Sequence, residues 1–347
     1  MTGTMQALRL QEEGGAVRLD EVPKPAAPVG DAVLVRMRVV TLNHLDLFGF
    51  RGMAFAKRQP FPITVAVEGS GEVEAVGPEV EALKPGDGVV LYPGIFCGAC
   101  THCLAGRENL CGNVAGIMGF HVDGIAAQWV GVPEARAIKV PAGVALRDAA
   151  CATTTFGTVQ HMLFDNAKLQ AGETILVHAG GSGIGSTAIK MAKAVGATVI
   201  TTVGSEAKVE KARALGADHV INYTQDRFES RARRLTDKKG VDVVFEHVGP
   251  ATWAGSLLSL KRGGRLVTCG STTGIVAETN LYQIFQQQLR IFGSFGFTRQ
   301  NIRDALDKMA AGITPVIDTE IALEDFAVAL ERLKTRDVFG KIIATVP

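Results

Sequence analysis

From Gly172 onward the chain settles into a rhythm that few folds can satisfy. Short apolar segments alternate with helical ones: ETILVHAG before STAIKMAKAVG, ATVITTVG before EAKVEKARALG, ADHVINY before FESRARRLTDKKG, and VDVVFEHVG before ATWAGSLLSLKRGG, with RLVTCGS and LRIFGSF closing the series. Strands covered on both faces read as near-continuous apolar runs, and parallel neighbours need a crossover helix between them. Six such segments predict a doubly wound parallel sheet. The first turn of the series, His178-Ala-Gly-Gly-Ser-Gly-Ile-Gly185, stands directly after a strand and before a helix. Backbone N–H groups and a helix N-terminus can approach a pyrophosphate there with no Cβ in the way. Gly181, Ser182, Gly183, Ile184 and Gly185 are therefore the expected cofactor contacts. A plain strand-to-helix turn is the bland alternative, and five further strands in the same rhythm count against it.

Up to about residue 150 the pattern is different. DAVLVRMRVVTLN, GSGEVEAVG, KPGDGVVLYPG and AAQWVGVP alternate Val with polar residues and are punctuated by Gly and Pro turns, as in a β-rich domain. Two amphipathic helices, NIRDALDKMAAG and EDFAVALERLKTRD, and a last strand, GKIIATV, close the chain. A length of 347 residues suits two domains. The expected division is 1–155, 156–293, and a segment 294–347 that returns to the first domain. The 36 Lys plus Arg nearly balance 35 Asp plus Glu, for a net charge of +1, so neither nucleic acid nor an anionic membrane is an expected partner. No apolar run approaches the roughly 20 residues of a membrane span, and the first 30 residues lack the apolar core of a signal peptide. A cytoplasmic protein is expected.

Four of the six cysteines, Cys97, Cys100, Cys103 and Cys111, fall in one short stretch with the spacing C-x2-C-x2-C-x7-C. Four thiolates so arranged close a tetrahedral zinc shell with no position left for water or substrate. One structural zinc per chain is expected, in a lobe over about 93–113, and His102 adds nothing to a shell already filled by sulfur. At the end of the second parallel strand an NAD site usually carries Asp or Glu for the ribose hydroxyls. Here Gly204 and Ser205 take that place, Glu206 sits late and is read as pointing out along the helix, and Lys208 follows one turn on. That set favours NADP(H), although Lys208 alone would read as a solvated surface lysine.

Taken together, a β-rich first domain, a four-cysteine loop near residue 100 and a late dinucleotide fold resemble the medium-chain dehydrogenase/reductase superfamily over nearly the whole chain. PGDGVVLYPGIFCGACTHCLAGRENLC looks like the structural-zinc lobe of zinc alcohol dehydrogenases, whereas GSEAKVEKARALGADHVINY and VDVVFEHVG look like the quinone oxidoreductase and enoyl reductase branch. The resemblance implies an α/β architecture: a GroES-like β-rich catalytic domain plus a Rossmann coenzyme domain with a six-stranded parallel sheet. It implies that Ser205, Lys208 and Tyr223 surround the NADP phosphate and ribose, and that Val248, Gly270 and Phe295 line the cofactor. Ser182 stands where the family usually has Gly.

The family's catalytic zinc ligands are a Cys opening Cys-x-x-Asp, the His of Gly-His-Glu, and a Cys or acid before the coenzyme domain. Their places are taken here by Asn43 (in Asn43-His44-Leu45-Asp46), Val67 (in Ala66-Val67-Glu68) and Thr154. Val67 binds no metal and Leu45 replaces the proton-relay hydroxyl, so the catalytic zinc is read as absent. A zinc rebuilt on His44, Asp46 and Glu68 is the alternative. The preferred reading has Asp46 and Glu68 satisfied by hydrogen bonds or an Arg.

Without that metal, the expected chemistry is reduction of an activated C=C bond in an enone, quinone or enoyl thioester, with an acyl-CoA as one candidate substrate class. Hydride adds to the β-carbon and hydrogen-bond donors hold the charge that appears on the carbonyl oxygen. Asn43 and Thr154 are the candidate donors, with turn-bracing as the competing role for Asn43, and His44 is a candidate for cofactor contact or proton donation. His178 and His247 are expected to line the cofactor cleft, His219 to be exposed and His161 to pack. Phe50, Phe55, Phe120, Phe156, Phe295 and Phe297 are candidate pocket walls. Arg51, Lys57 and Arg58 form a basic group suited to acyl-CoA phosphates or, more simply, to solvent. An alcohol dehydrogenase with a rebuilt zinc and a non-catalytic NADPH-binding protein are the competing functions. The family implies a homodimer through the apolar strand LRIFGSF, with pairing into tetramers left open.

Overall fold

The computed structural model describes residues 3–50, 60–113 and 116–347. The chain divides into two compact units, Thr158–Gly296 and Met1–Gly157 with Phe297–Pro347.

The first of these units is the parallel sheet that the strand rhythm predicts. Its strands are β1 (Thr174–Val177), β2 (Thr198–Val203), β3 (His219–Asn222), β4 (Val241–Glu246), β5 (Leu260–Thr268) and β6 (Arg290–Gly293), in the order β3-β2-β1-β4-β5-β6. All neighbours are parallel. Ile175, Leu176, Val177, Val243, Val244 and Phe245 are fully buried, as expected of strands covered on both faces. The chain order reverses between β1 and β4, the place where open α/β sheets bind ligands beyond the strands' carboxyl ends.

Helices α1 (Gly183–Ala194), α2 (Ala207–Ala214), α3 (Phe228–Leu235) and α4 (Pro250–Ser259) are the crossovers. Ser182 is the N-cap of α1, its hydroxyl accepting from the Gly185 N–H at 2.9 Å. That bond accounts for the Ser where the family usually has Gly: a capping oxygen satisfies one of the helix's orphan donors. A further helix, Leu281–Gln287, was not legible in the sequence.

The second unit is antiparallel and built around one long strand, Ala32–Thr41. It pairs with Gly69–Val76 and Trp129–Pro133, and beyond Val39 with the C-terminal strand Lys341–Thr345. Ile343 lies opposite Thr41. The returning segment thus completes this sheet, with Ile317–Ala322, also unforeseen, running parallel to Lys341–Thr345. Leu10, Met37, Leu42, Ile63, Leu91, Ile125 and Phe326 fill the core. Among the described residues, no helix is long and apolar enough to cross a membrane.

Gly185 allows α1 to start against the end of β1: a Cβ there would stand 2.2 Å from the Ala179 carbonyl oxygen. The neighbour is backbone and cannot swing away. Gly185→Ala is expected to destabilise Thr158–Gly296 by about 1–3 kcal/mol, read as a lower urea midpoint with an unchanged m-value.

Candidate functional site

The cysteine lobe hangs on a two-stranded ribbon, Gly94–Ile95 against Gly116–Ile117. The four Sγ atoms all lie within 4.8 Å of one another. Cys97–Cys111 and Cys100–Cys103 are 3.5 Å apart, and Cys97–Cys103 and Cys100–Cys111 are 3.9 Å apart. A zinc–sulfur bond of about 2.3 Å implies tetrahedral edges of about 3.8 Å, so the set fits a zinc ion. Backbone N–H groups of Cys100 and Cys103 donate to the sulfurs of Cys97 and Cys100, which suits thiolates. The lobe is tied down by Glu108, buried between Cys103 and Cys111, which accepts from the N–H and guanidinium of Arg299.

Asn43, one of the three residues expected to replace metal ligands, lies against a buried carboxylate. The Glu68 carboxylate is wholly buried and accepts from Thr41 Oγ1 at 2.6 Å, Thr155 N at 2.6 Å, Thr155 Oγ1 at 3.0 Å, Lys341 Nζ at 3.0 Å and Asn43 Nδ2 at 3.2 Å. Among the described residues its partners are hydroxyl, amide and backbone donors and a lysine. Lys341 also donates to Leu42 O at 2.8 Å and Asn43 Oδ1 at 2.6 Å. The Asn43 amide is thereby held from both ends, since its Nδ2 also lies 3.2 Å from Thr41 Oγ1.

Asp46 is buried and accepts from the Asn43 N–H at 2.7 Å. Burial pushes its carboxyl up to about 7, against the pull of that N–H and of Lys341. Among the described residues, the cysteines form the group of His, Cys, Asp and Glu atoms close enough to share a metal; His44, Asp46 and Glu68 do not.

Thr154 sits in a π-helical turn, Ala152–Gly157, whose wide pitch is marked by the bond from Phe156 N to Cys151 O. Such turns recur at functional sites. The Thr154 hydroxyl is buried with no hydrogen-bond partner among the described residues, an arrangement that costs about 1–3 kcal/mol unless a ligand supplies the partner. Val67 is core. His44 is half-buried and engaged. Phe120 and Phe156 are fully buried core residues and Phe297 is nearly so, while Phe295 is exposed. The Phe50 side chain and all of Arg51, Phe55, Lys57 and Arg58 lie outside the described residues. Sequence reasoning missed Lys341; its only signal was a lysine heading an apolar closing strand.

In Thr158–Gly296 the turn residues Gly181 to Gly185 run from the end of β1 into α1. Beyond β2, Tyr223 lies over Gly204, where a Cβ would meet its hydroxyl at 2.4 Å. Ser205 is half-buried and Lys208 is engaged. Glu206 is exposed but does not point freely along the helix: it accepts from the Asn222 amide at 3.3 Å, at the end of β3. Gly270 packs against the His247 carbonyl, 2.9 Å from where a Cβ would stand, and Val248 follows β4. His178 and His247 turn inward and are buried, whereas His219 is exposed and His161 packs onto Asp165 at 2.8 Å.

Two family models match: the alcohol dehydrogenase GroES-like domain over residues 30–142 and the zinc-binding dehydrogenase domain over 183–311. An acryloyl-coenzyme A reductase of Metallosphaera sedula is 32% identical over 342 residues, covering 96% of this chain and 97% of that one. The chain belongs to the zinc-containing medium-chain dehydrogenase/reductase superfamily. A quinone oxidoreductase of Pseudomonas aeruginosa is 31% identical, covering 92% of this chain and 93% of that one. A solved NAD-dependent alcohol dehydrogenase superposes with a TM-score of 0.93 at 37% identity, over 99% of this chain and 100% of that one. This medium-chain family member is an oxidoreductase, and its family implies a nicotinamide cofactor and zinc.

Replacing Cys103 by Ser is expected to remove the zinc, read as metal content falling from one to near zero per chain, and to lower the Tm. Asp46 carries a signed pH dependence. Its folded pKa lies above the unfolded value of 3.8, so the folded chain holds a proton that the unfolded chain has released. The associated stability is complete below about pH 4 and is lost as pH rises through about 7. Asp46→Asn is therefore expected to raise Tm relative to the parent above pH 7, with the difference shrinking toward pH 5.

Proposed function

We propose that this oxidoreductase uses NADPH to reduce an activated C=C bond, in an enone, quinone or enoyl thioester, with the cysteine-bound zinc as its only metal. The observation that carries the reading is the state of Glu68. Among the described residues its carboxylate is met by Thr41, Asn43, Thr155 and Lys341, an engagement that competes with binding a metal, and Asn43 and Val67 offer no strong ligand.

When bound, the nicotinamide cofactor would supply the hydride for the substrate's β-carbon. The Thr154 hydroxyl donates to the substrate carbonyl oxygen, where the electron pair of the C=C bond collects as enolate. Its lack of a partner among the described residues supports that role. Asn43, clamped by Lys341 and Glu68, shapes the wall beside it and has its amide hydrogens already engaged. Proton transfer from solvent to the α-carbon completes the saturated product and restores the carbonyl.

Preference for the 2′-phosphate rests on the absence of an acid at Gly204 and Ser205 and on Lys208 and Tyr223 beside them. Assembly as a homodimer is favoured by the exposed apolar side chains of the last parallel strand and the helix before it, Leu281, Tyr282, Phe285 and Ile291, with Tyr282 and Phe285 in ring contact.

An α,β-unsaturated aldehyde offers both bonds to the enzyme. With NADPH the expected product by mass spectrometry is the saturated aldehyde. An allylic alcohol would overturn the mechanism in favour of a rebuilt catalytic zinc, and no product with any acceptor would favour a binding protein. Thr154→Val is expected to lower kcat about 10²–10³-fold with little change in the KM for NADPH. Lys208→Ala is expected to raise the KM for NADPH and leave that for NADH unchanged.

A further inference from the structure

At the switch point the sheet itself stops holding the cofactor-binding loops together. The last ladder bond between β1 and β4 runs from His178 N to Phe245 O at 3.3 Å. Beyond it the chain leaves β1 toward the glycine turn and leaves β4 toward Val248, on diverging paths. Side chains take over where the backbone ladder ends. His247 Nε2 reaches the His178 carbonyl at 2.9 Å. His178 Nε2 lies 2.8 Å from Ser256 Oγ, and Ser256 Oγ donates to Glu246 Oε2 at 2.7 Å. On the other edge of the ring, His178 Nδ1 lies 3.3 Å from Thr202 Oγ1, which accepts the Ala179 N–H at 3.1 Å. Glu246 in turn accepts the N–H groups of Val248 at 2.6 Å and Gly249 at 3.0 Å, and the Thr252 hydroxyl at 2.8 Å.

One assignment of protons satisfies every member. The Ala179 N–H donates to Thr202, Thr202 donates to Nδ1, Nε2–H donates to Ser256, and Ser256 donates to the carboxylate. The chain is directed, begins in the glycine turn and ends on the charge that gathers the Val248–Gly249 backbone. His178, Thr202, Glu246 and Ser256 are all buried, so none of these groups has water as a substitute partner.

We propose that Glu246, Ser256 and His178 are positioning residues for the coenzyme: they set the spacing of the two loops on either side of the switch point, and so the seat of the pyrophosphate and nicotinamide ribose. The proposal rests on the reading of this unit as an NADP(H) site. Burial holds the His178 ring down to about 4, which keeps it neutral in its donor-and-acceptor form. For Glu246, burial opposes the charge, while the Ser256 hydroxyl and the Gly249 and Val248 N–H groups hold the carboxylate ionised. Ser256 and His178 resemble a nucleophile and its base, but Ser256 is fully buried and its proton is committed to Glu246, so no attack on a substrate is available.

The test separates the two ends of the coenzyme. Ser256→Ala removes the relay at little change in volume, and Ser256→Thr keeps the hydroxyl. Dissociation constants are measured by calorimetry for NADPH and for adenosine 2′-monophosphate, which occupies only the end near β2. Expected is a rise on the order of tenfold in the NADPH constant for Ser256→Ala, no more than twofold for adenosine 2′-monophosphate, and recovery in Ser256→Thr. Equal weakening of both ligands, or of neither, would overturn the proposal. Where Ser256→Ala fails to fold, Glu246→Gln is read by the same pair of constants. A parent enzyme that binds NADH in preference to NADPH would sink the coenzyme reading alone, and the comparison would then be run with NADH against adenosine.

Discussion

A carboxylate removed from water must be met by donors or it costs several kcal/mol, and Glu68 sets that demand at the centre of the antiparallel unit. Its donors come from three separate stretches of chain: Thr41 and Asn43 from the end of the long strand, Thr155 from the π-helical turn, and Lys341 from the C-terminal strand. A one-residue register shift of the closing strand would carry Lys341 to the opposite face and leave the buried carboxylate without its cation. The pairing of Ile343 with Thr41 is therefore an electrostatic requirement as much as a hydrophobic one. The same interaction fixes the rotamer of Asn43 and the placement of the turn that bears Thr154. The chemistry available to this site follows from how one acid is neutralised.

The coenzyme unit was readable from sequence because its strands are apolar on both faces and its crossover helices fill a fixed rhythm. What escaped were elements whose burial leaves no such trace. Leu281–Gln287 has no buried residue, so no period of 3.6 marks its core face. Ile317–Ala322, IDTEIA, is half-buried along most of its length and alternates too weakly to stand out. The four-cysteine lobe lay at the opposite extreme, since ligand spacing within one loop is a local property and needs no fold to be read.

The catalytic region was legible as a set of losses and illegible as a construction. Asn43, Val67 and Thr154 could be read as replacements for a metal's ligands, but Lys341 lies 273 residues from Glu68 and nothing local marks it as a buried cation. The sequence likewise presents Asn43 and Thr154 as equivalent donors. Packing separates them, because the Asn43 amide is spent on its neighbours and the Thr154 hydroxyl is not. For the histidines, position at a strand end suggested a lining role. The hydrogen-bond partners of His178 and His247 instead turn both rings toward the protein interior.

The unit that holds Glu68 is written at both ends of the chain, with the whole of Thr158–Gly296 inserted between. During synthesis the inserted unit is contiguous and has all its strands as soon as Gly296 emerges. The antiparallel unit must wait for its closing strand, Lys341–Thr345, to leave the ribosome. Until then the edge of Thr41 that faces Ile343 is unpaired and Glu68 lacks Lys341, so the nascent first half must stay open or solvated there. Order of maturation thus runs opposite to order in the sequence: the coenzyme fold is complete first, and the unit around Glu68 is sealed by residues made after it.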